Sequence, residues 1–284
     1  MSTATKPLRN RIVLIFDFDE TLGPSTIQAY FDHLGIPYAD FDARATERKR
    51  DLWQAPLAVA DLLREYSHRA DSPIRRDTMV AFGKEFPLFP GADGLVDCLK
   101  QYVAEKDGDI TLEFVLLTAG FKTIAEHSLI GEQFDRVYGG ELHFDDEGRI
   151  LAARRVISHV DKVHYIKQLV EGLDLDKASE LENTYVDHNP QDNYVPMSQV
   201  IYVGDGHSDM SAFQSVEKDG GVSIAIDPDQ DGSWDGYENM SPGRRVHNVA
   251  PADYRSDSEL IKSLKLALDL MVSRILLLRL GKEE

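Results

Sequence analysis

The sequence has little cysteine and little positive charge. Its single cysteine, Cys98, excludes an intrachain disulfide, and apolar neighbours at helical spacing in GLVDCLKQYV predict a small buried side chain. A formal net charge of −18 repels the phosphates of nucleic acids and anionic lipids, so we expect neither a nucleic acid nor a membrane as partner. The first residues, MSTATKPLRN, lack the apolar run of a signal peptide, which favours a cytoplasmic location.

Long uncharged hydrophobic runs are also missing. The most apolar segment, residues 258–280, is interrupted by charges, and its apolar side chains fall on one helical stripe. The sequence therefore predicts an amphipathic terminal helix, with Ser256 and Glu259 as a capping box at its start. The predicted stripe consists of Leu260, Ile261, Leu264, Leu268, Met271, Val272, Ile275 and Leu278.

Patterns for zinc and calcium sites give little support to either metal. The nine histidines include no pair at His-x-His or His-x-x-x-His spacing, and we interpret His207 as a residue of a surface loop. Residues 227–238, DPDQDGSWDGYE, match the residue types of a calcium-binding loop, but a predicted strand precedes them and Trp234 replaces the usual aliphatic residue. We predict an acidic surface loop there, without a specific calcium site.

Short apolar runs rich in β-branched residues predict buried parallel strands. These runs are RIVLIF from residue 11, EFVLLT from 113, QVIYV from 199 and VSIAI from 222. Helical patterns separate them, which predicts an α/β fold with a Rossmann-like parallel sheet core. Residues 24–88 show helical patterns alone and predict a helical cap domain inserted after the first strand, with 1–23 and 89–284 as the core domain. Residues 139–156 predict a β-hairpin.

Polar residues stand at the ends of these strands. The first strand ends in Asp17 and Asp19, whose period-two spacing points both carboxylates to one side. The second predicted strand ends in Thr118, which Ala119 and Gly120 follow. Because ligands of open α/β sheets bind beyond the carboxyl ends of the strands, these residues are candidates for one site.

Two further segments supply charges to the same edge of the sheet. The strand QVIYV runs into GDGHSD, which contains Asp205 and Asp209, and Lys162 begins the helix before that strand. We favour Lys162 over Lys167, because Lys162 lies nearer the strand ends. Several carboxylates that converge on one point need a hard cation, and oxygen ligands favour Mg²⁺.

The ordered set DFDET, LLTAG, Lys162 and GDGHSD resembles the haloacid dehalogenase (HAD) superfamily, specifically its phosphatase branch. The resemblance implies that Asp17 is a nucleophile that becomes an aspartyl phosphate, and that Asp19 is the general acid and then the base. It implies that the substrate is bound by Thr118, Ala119, Gly120 and Lys162. It also implies a Mg²⁺ site formed by the Asp17 carboxylate, the Asp19 backbone carbonyl and Asp205, with Asp209 in support.

The second acid favours phosphoryl transfer over dehalogenation, because an alkoxide leaving group needs a proton and a halide does not. The stretch from GFKTIAEHSLI through the predicted hairpin resembles phosphoserine phosphatases, although the second motif here, LLTAGF, lacks the Ser-Gly-Gly often found in theirs. We therefore predict a small phosphorylated metabolite as substrate, and a monomer or homodimer. A phosphomutase of the same superfamily and a non-catalytic binding or regulatory relative are the alternatives.

Overall fold

The computed structural model describes residues 10–177, 194–206, 208–227 and 246–281. Within these ranges the strands are β1 Arg11–Phe16, β2 Thr111–Phe121, β3 Arg136–Phe144, β4 Ile150–Arg155, β5 Val200–Gly204, β6 Val222–Asp227 and β7 Asn248–Pro251. They form one sheet in the order β4-β3-β2-β1-β5-β6-β7. Every neighbouring pair is parallel except β3 and β4, which pair antiparallel. The predicted α/β fold with a Rossmann-like sheet is confirmed.

The four strands that the apolar runs predict are all present, and so is the hairpin, formed by β3 and β4. Two features were not predicted. The first arm of the hairpin also pairs with β2 and so extends the main sheet. The edge strand β7 is only four residues long and ends in a proline, so it carries neither alternation nor a long apolar run.

The alternation of side chains along β1 divides the apolar residues between two faces of the sheet. Ile12, Leu14 and Phe16 belong to one buried cluster, and Val13 and Ile15 belong to another. Because successive side chains of a strand point to opposite faces, β1 contributes to both layers that cover the sheet.

The helices of the described ranges are α1 Thr26–His33, α2 Tyr38–Arg50, α3 Ala55–Ser67, α4 Arg76–Glu85, α5 Leu95–Ala104, α6 Lys122–Ala125, α7 Asp161–Glu171, α8 Met210–Lys218 and α9 Glu259–Leu280. The first four follow β1 directly and form the predicted helical cap. Its aromatic side chains Tyr30 and Phe31 are fully buried in the same apolar cluster as one face of the sheet. The domain bounds at residues 24 and 88 stay a prediction.

Two sets of contacts join the cap to the sheet. At the ends of the cap, the Phe89 amide donates to the Leu22 carbonyl over 2.9 Å. At its far side, the end of α3 and the start of α4 contact the hairpin. The Ile150 amide donates to Ser67 Oγ over 3.1 Å, and the Arg76 amide donates to the Gly148 carbonyl over 2.9 Å. The cap is therefore held both at its connections and across the sheet edge.

The terminal helix α9 is present, but its predicted cap is wrong. The helix begins at Glu259, and Ser258 Oγ accepts a hydrogen bond from the Ile261 amide over 3.2 Å. Glu259 is thus the first helical residue and cannot complete a capping box with Ser256. Among the described residues no helix has the length and apolarity needed to cross a membrane.

Two predicted burials are also wrong. Leu278 is 58% exposed, because Arg279 takes the inward position in the last turn through an ion pair of 2.6 Å with Asp107. Cys98 is only half-buried on the surface of the core. The remaining residues of the predicted stripe are buried. His207 and most of the calcium-like stretch lie outside the described residues.

Candidate active site

Asp17 lies directly beyond β1 at the carboxyl end of the sheet. Its amide donates to the Val203 carbonyl of β5 over 2.9 Å, which continues the parallel pairing by one residue. The Asp17 side chain is 3% exposed, while the neighbouring Phe18 points into the apolar cluster and stacks on Phe86 of the cap connection, with ring centroids 4.7 Å apart. The burial of Phe18 therefore fixes the backbone between the two acids.

Asp19 is held between the cap and β2. Its Oδ1 accepts a hydrogen bond of 2.5 Å from the amide of Thr26, the first residue of α1, and its Oδ2 accepts one of 3.3 Å from Thr118 Oγ1. Ser25, which precedes α1, provides no side-chain cap, so the Asp19 carboxylate satisfies one of the free N–H groups of that helix. Glu20 follows in the left-handed region at φ 55°, where a non-glycine residue is strained.

Thr118, Ala119 and Gly120 lie in an irregular part of β2. The prediction ended this strand at Thr118, but the strand runs on to Phe121, with a register shift between Leu117 and Phe121. Thr118 is buried, and its Oγ1 accepts a 2.8 Å hydrogen bond from the Gly120 amide. A Cβ on Gly120 would lie 2.5 Å from Asp19 Oδ2, so only glycine leaves room for the carboxylate there.

Lys162 is fully buried in the first turn of α7, although a lysine is rarely found without contact to solvent. Its Nζ lies 2.8 Å from Asp17 Oδ2 and 2.7 Å from Asp209 Oδ1. Lys167 is exposed on the outer side of the same helix. The structure therefore brings the preferred lysine, and not the alternative, to Asp17.

The carboxylates of Asp17, Asp205 and Asp209 converge beyond β1 and β5. One oxygen from each lies within 4.8 Å of the others. Asp209 precedes α8 and is completely buried, and a Cβ on Gly204 would lie 2.1 Å from its Oδ2. The glycine at position 204 thus permits the close approach that brings the two segments together.

Two residues of this site were missed by the sequence reasoning. The hydroxyl of Tyr202 on β5 donates to Asp209 Oδ1 over 2.5 Å, and Ser208 Oγ donates to Asp17 Oδ2 over 3.2 Å. A signal for Tyr202 was present, because a tyrosine inside an apolar strand needs a partner for its hydroxyl. For Ser208 the only signal was its place between Asp205 and Asp209.

The charges of the site are unbalanced. Burial raises the pKa of Asp17 to about 7, although Lys162 opposes the rise, and burial together with Asp209 and Asp17 raises the pKa of Asp205 to about 9. Burial alone would also raise the pKa of Asp209, but Lys162 and the Tyr202 hydroxyl outweigh it and hold that pKa below its usual value. Without a cation, the raised pKa values therefore favour protonation of Asp17 and Asp205 at a higher pH than is usual for an aspartate.

This donor set fits a divalent cation. Lys162 pairs with only two of the three carboxylates, the oxygens are close enough to bind a single ion, and hard oxygen ligands suit Mg²⁺. The Asp19 carboxylate lies outside the group, bonded instead to Thr26 and Thr118. The expected part of Asp19 in a metal site was its backbone carbonyl, which stays a prediction.

Comparison with known proteins shows which structures share this fold. The sequence matches no family model and no curated protein. Its structure is similar to a HAD family hydrolase from Salmonella enterica subsp. enterica serovar Typhi, with a TM-score of 0.54 and 13% identity over 84% of this chain and 66% of that chain.

Two further structures, one of a phosphatase and one of a nucleotidase, are similar as well. A phospho-aspartyl intermediate analogue of phosphoserine phosphatase gives a TM-score of 0.52 at 16% identity, covering 90% of this chain and 98% of that one. Cytosolic 5′-nucleotidase IIIB bound to cytidine gives 0.52 at 14% identity, covering 96% of this chain and 88% of that one. The chain therefore shares the fold of these HAD-type hydrolase structures, which is the fold that the motifs predicted.

Proposed function

We propose that this chain is a Mg²⁺-dependent phosphatase that hydrolyses a small phosphomonoester through an aspartyl phosphate on Asp17. The observation that carries the proposal is the contact of buried Asp17 with buried Lys162 beside two further carboxylates, at the carboxyl edge of a HAD-like sheet. The names of the similar structures, a phosphoserine phosphatase and a 5′-nucleotidase, support the same class of substrate.

Asp17 would act as the nucleophile. Its carboxylate oxygen forms a bond to phosphorus while the ester P–O bond breaks, and the phosphoryl group is transferred to the protein. Lys162 would offset the negative charge that accumulates as one anion attacks another. Mg²⁺ bound by Asp17, Asp205 and Asp209 would neutralise these carboxylates and polarise the phosphoryl group.

Asp19 would move the proton. Protonated Asp19 gives its proton to the leaving alkoxide, and the resulting carboxylate then takes a proton from a water molecule that attacks the aspartyl phosphate. This second attack breaks the bond between the Asp17 oxygen and phosphorus and releases inorganic phosphate. The contact of Asp19 Oδ2 with Thr118 supports this role, because it holds the carboxyl group at the position that the small Gly120 leaves open for it.

The test is a panel of phosphorylated metabolites and one aryl phosphate, incubated with the purified chain in Mg²⁺ or in EDTA. We expect inorganic phosphate to be released in proportion to the substrate consumed, in the samples with Mg²⁺ and not in those with EDTA. A phosphomutase would instead return the phosphoryl group to an organic acceptor. A folded chain that turns over no member of the panel would contradict the proposal.

A further inference from the structure

Tyr254 connects the C-terminal part of the chain to the turn that follows Asp19. It lies between β7 and α9, is 2% exposed, and its hydroxyl donates a buried hydrogen bond of 2.7 Å to the carbonyl of Thr21. The two residues are 233 positions apart in sequence. None of the steps described above uses Tyr254.

The Thr21 carbonyl, which accepts this bond, belongs to a tight turn that contains Asp19. The amides of Thr21 and Leu22 both donate to the Phe18 carbonyl, over 3.3 and 2.9 Å, and Glu20 inside the turn is left-handed. A strained conformation of this kind persists only where its surroundings hold it. The Tyr254 hydroxyl is one such restraint, applied from outside the turn.

The backbone of Tyr254 also holds the segment by which the chain leaves the cap. Its amide donates to the Pro90 carbonyl over 2.8 Å, and Gly91, at φ 79°, packs so closely that a Cβ would lie 2.8 Å from the Tyr254 carbonyl carbon. Since Phe89 bonds to Leu22, the entry and exit of the cap and Tyr254 form one connected junction.

We propose that Tyr254 is a positioning residue that fixes the turn carrying Asp19 and thereby places the proton donor. The part of this inference that concerns the proton rests on the proposed phosphatase function. The restraint on the turn does not, because it follows from the hydrogen bonds of the junction alone.

The first test measures the turn without any substrate. In Tyr254→Phe the ring still fills its pocket and only the hydroxyl is lost. Hydrogen–deuterium exchange should become about two- to tenfold faster in peptides that cover residues 18–24 and 86–92, the factor that loss of one net hydrogen bond gives. Exchange in α7 should not change, since most buried side chains of that helix belong to a different apolar cluster from Leu22 and Tyr254.

The second test measures proton donation. In Tyr254→Phe, turnover of an alkyl phosphate should fall about tenfold while turnover of an aryl phosphate, which needs little protonation, should fall less than about twofold. Tyr102→Phe is the matched control, because it removes a tyrosine hydroxyl that bonds to Asp269 on α9 at 3.0 Å, away from the junction. Its ratio of alkyl to aryl turnover should equal that of the wild type.

Gly91→Ala gives a second route to the same contact, because its Cβ displaces the Tyr254 backbone and so disturbs the bond to Thr21 without removing the hydroxyl group. It should change exchange and the turnover ratio in the same direction as Tyr254→Phe. Unchanged exchange in residues 18–24 in both variants would overturn the proposal. Faster exchange with an unchanged ratio would show that Tyr254 restrains the turn but does not position Asp19. A wild type without phosphatase activity would refute the proposed function, and the exchange data would still decide the restraint.

Discussion

The molecule contains two clusters built from the same kinds of charged residues, and their surroundings give them opposite properties. The cap cluster, on α2 and α3, joins three arginines to two acids at half-exposed positions: Arg44, Arg48, Arg64, Asp61 and Glu65. The site cluster groups one lysine with three acids, of which Asp205 is half-buried while the other members are almost completely buried: Lys162, Asp17, Asp205 and Asp209.

The pKa values show the difference. Burial opposes ionisation of Glu65, but hydrogen bonds from Arg44 and Arg48 outweigh it and lower the pKa of its carboxyl group. In the site cluster burial dominates at two of the three acids and raises the pKa of Asp17 to about 7 and that of Asp205 to about 9. Solvent-exposed ion pairs in which every acid has an arginine partner serve structure. A buried set with more acids than cations costs stability and persists where a ligand or a reaction uses it.

The largest expected effect is that of Asp17→Asn. Turnover should fall by about 10⁴-fold or more, because the nucleophile is lost. The melting temperature in EDTA should stay the same or rise, since one of three crowded carboxylates becomes neutral. Asp61→Asn in the cap cluster is the control, and it should leave turnover within about twofold. Equal losses of activity in the two variants would contradict the inference that the site cluster serves the reaction and the cap cluster serves structure.

Asp19→Asn should lower turnover by about 10²- to 10⁴-fold, the range for loss of general acid–base catalysis. The nucleophile and the three grouped carboxylates are kept, so substrate binding should survive. Alkyl phosphates should suffer more than aryl phosphates, measured as the ratio of kcat values. The same loss for both substrates would mean that Asp19 only positions other groups.

A smaller effect is expected on stability as a function of pH. A carboxyl group whose pKa is raised by folding favours the folded state at low pH, and this contribution is lost as pH rises through the folded pKa. For Asp17 and Asp205, with values near 7 and 9, the melting temperature in EDTA should fall between pH 5 and pH 9.

Mg²⁺ should reverse that fall, because the cation replaces the protons. A gain of about 1–2 kcal/mol would raise the melting temperature by about 2–8 °C in a protein of this size. Thermal unfolding with and without Mg²⁺ across this pH range measures the effect. A stability that is independent of Mg²⁺ at pH 9 would contradict the assignment of the site cluster to a cation.

The smallest effect is that of Glu65→Gln in the cap cluster. About a third of the Glu65 side chain is exposed, so its pairs should contribute only about 0–1 kcal/mol to the free energy of unfolding. Since its pKa is lowered, this contribution is present above its usual pKa and is lost as pH falls through the folded pKa, opposite to the site cluster. Urea unfolding at pH 7 and pH 4 would show the difference.

The sequence was sufficient for the four central strands of the sheet and for the residues that follow them. Asp17, Thr118 and Asp205 could be placed at one edge because parallel strands end together, and Lys162 because its helix starts there. Contacts that depend on packing could not be derived. The bond from Tyr202 to Asp209 requires the exact turn between them, and the bond from Tyr254 to Thr21 joins distant segments without any local pattern.

The attachment of the cap to the hairpin has a kinetic consequence. Besides the bonds from Arg76 and Ile150, His68 Nε2 lies 2.9 Å from the Ile150 carbonyl and Arg75 donates to the Glu147 carbonyl over 3.1 Å. At about 0.5–1.5 kcal/mol each, these four bonds oppose outward rotation of the cap by about 2–6 kcal/mol. Molecules with the cap detached are then outnumbered by at least about 30 to 1. A substrate that enters only through that minority associates more slowly by the same factor.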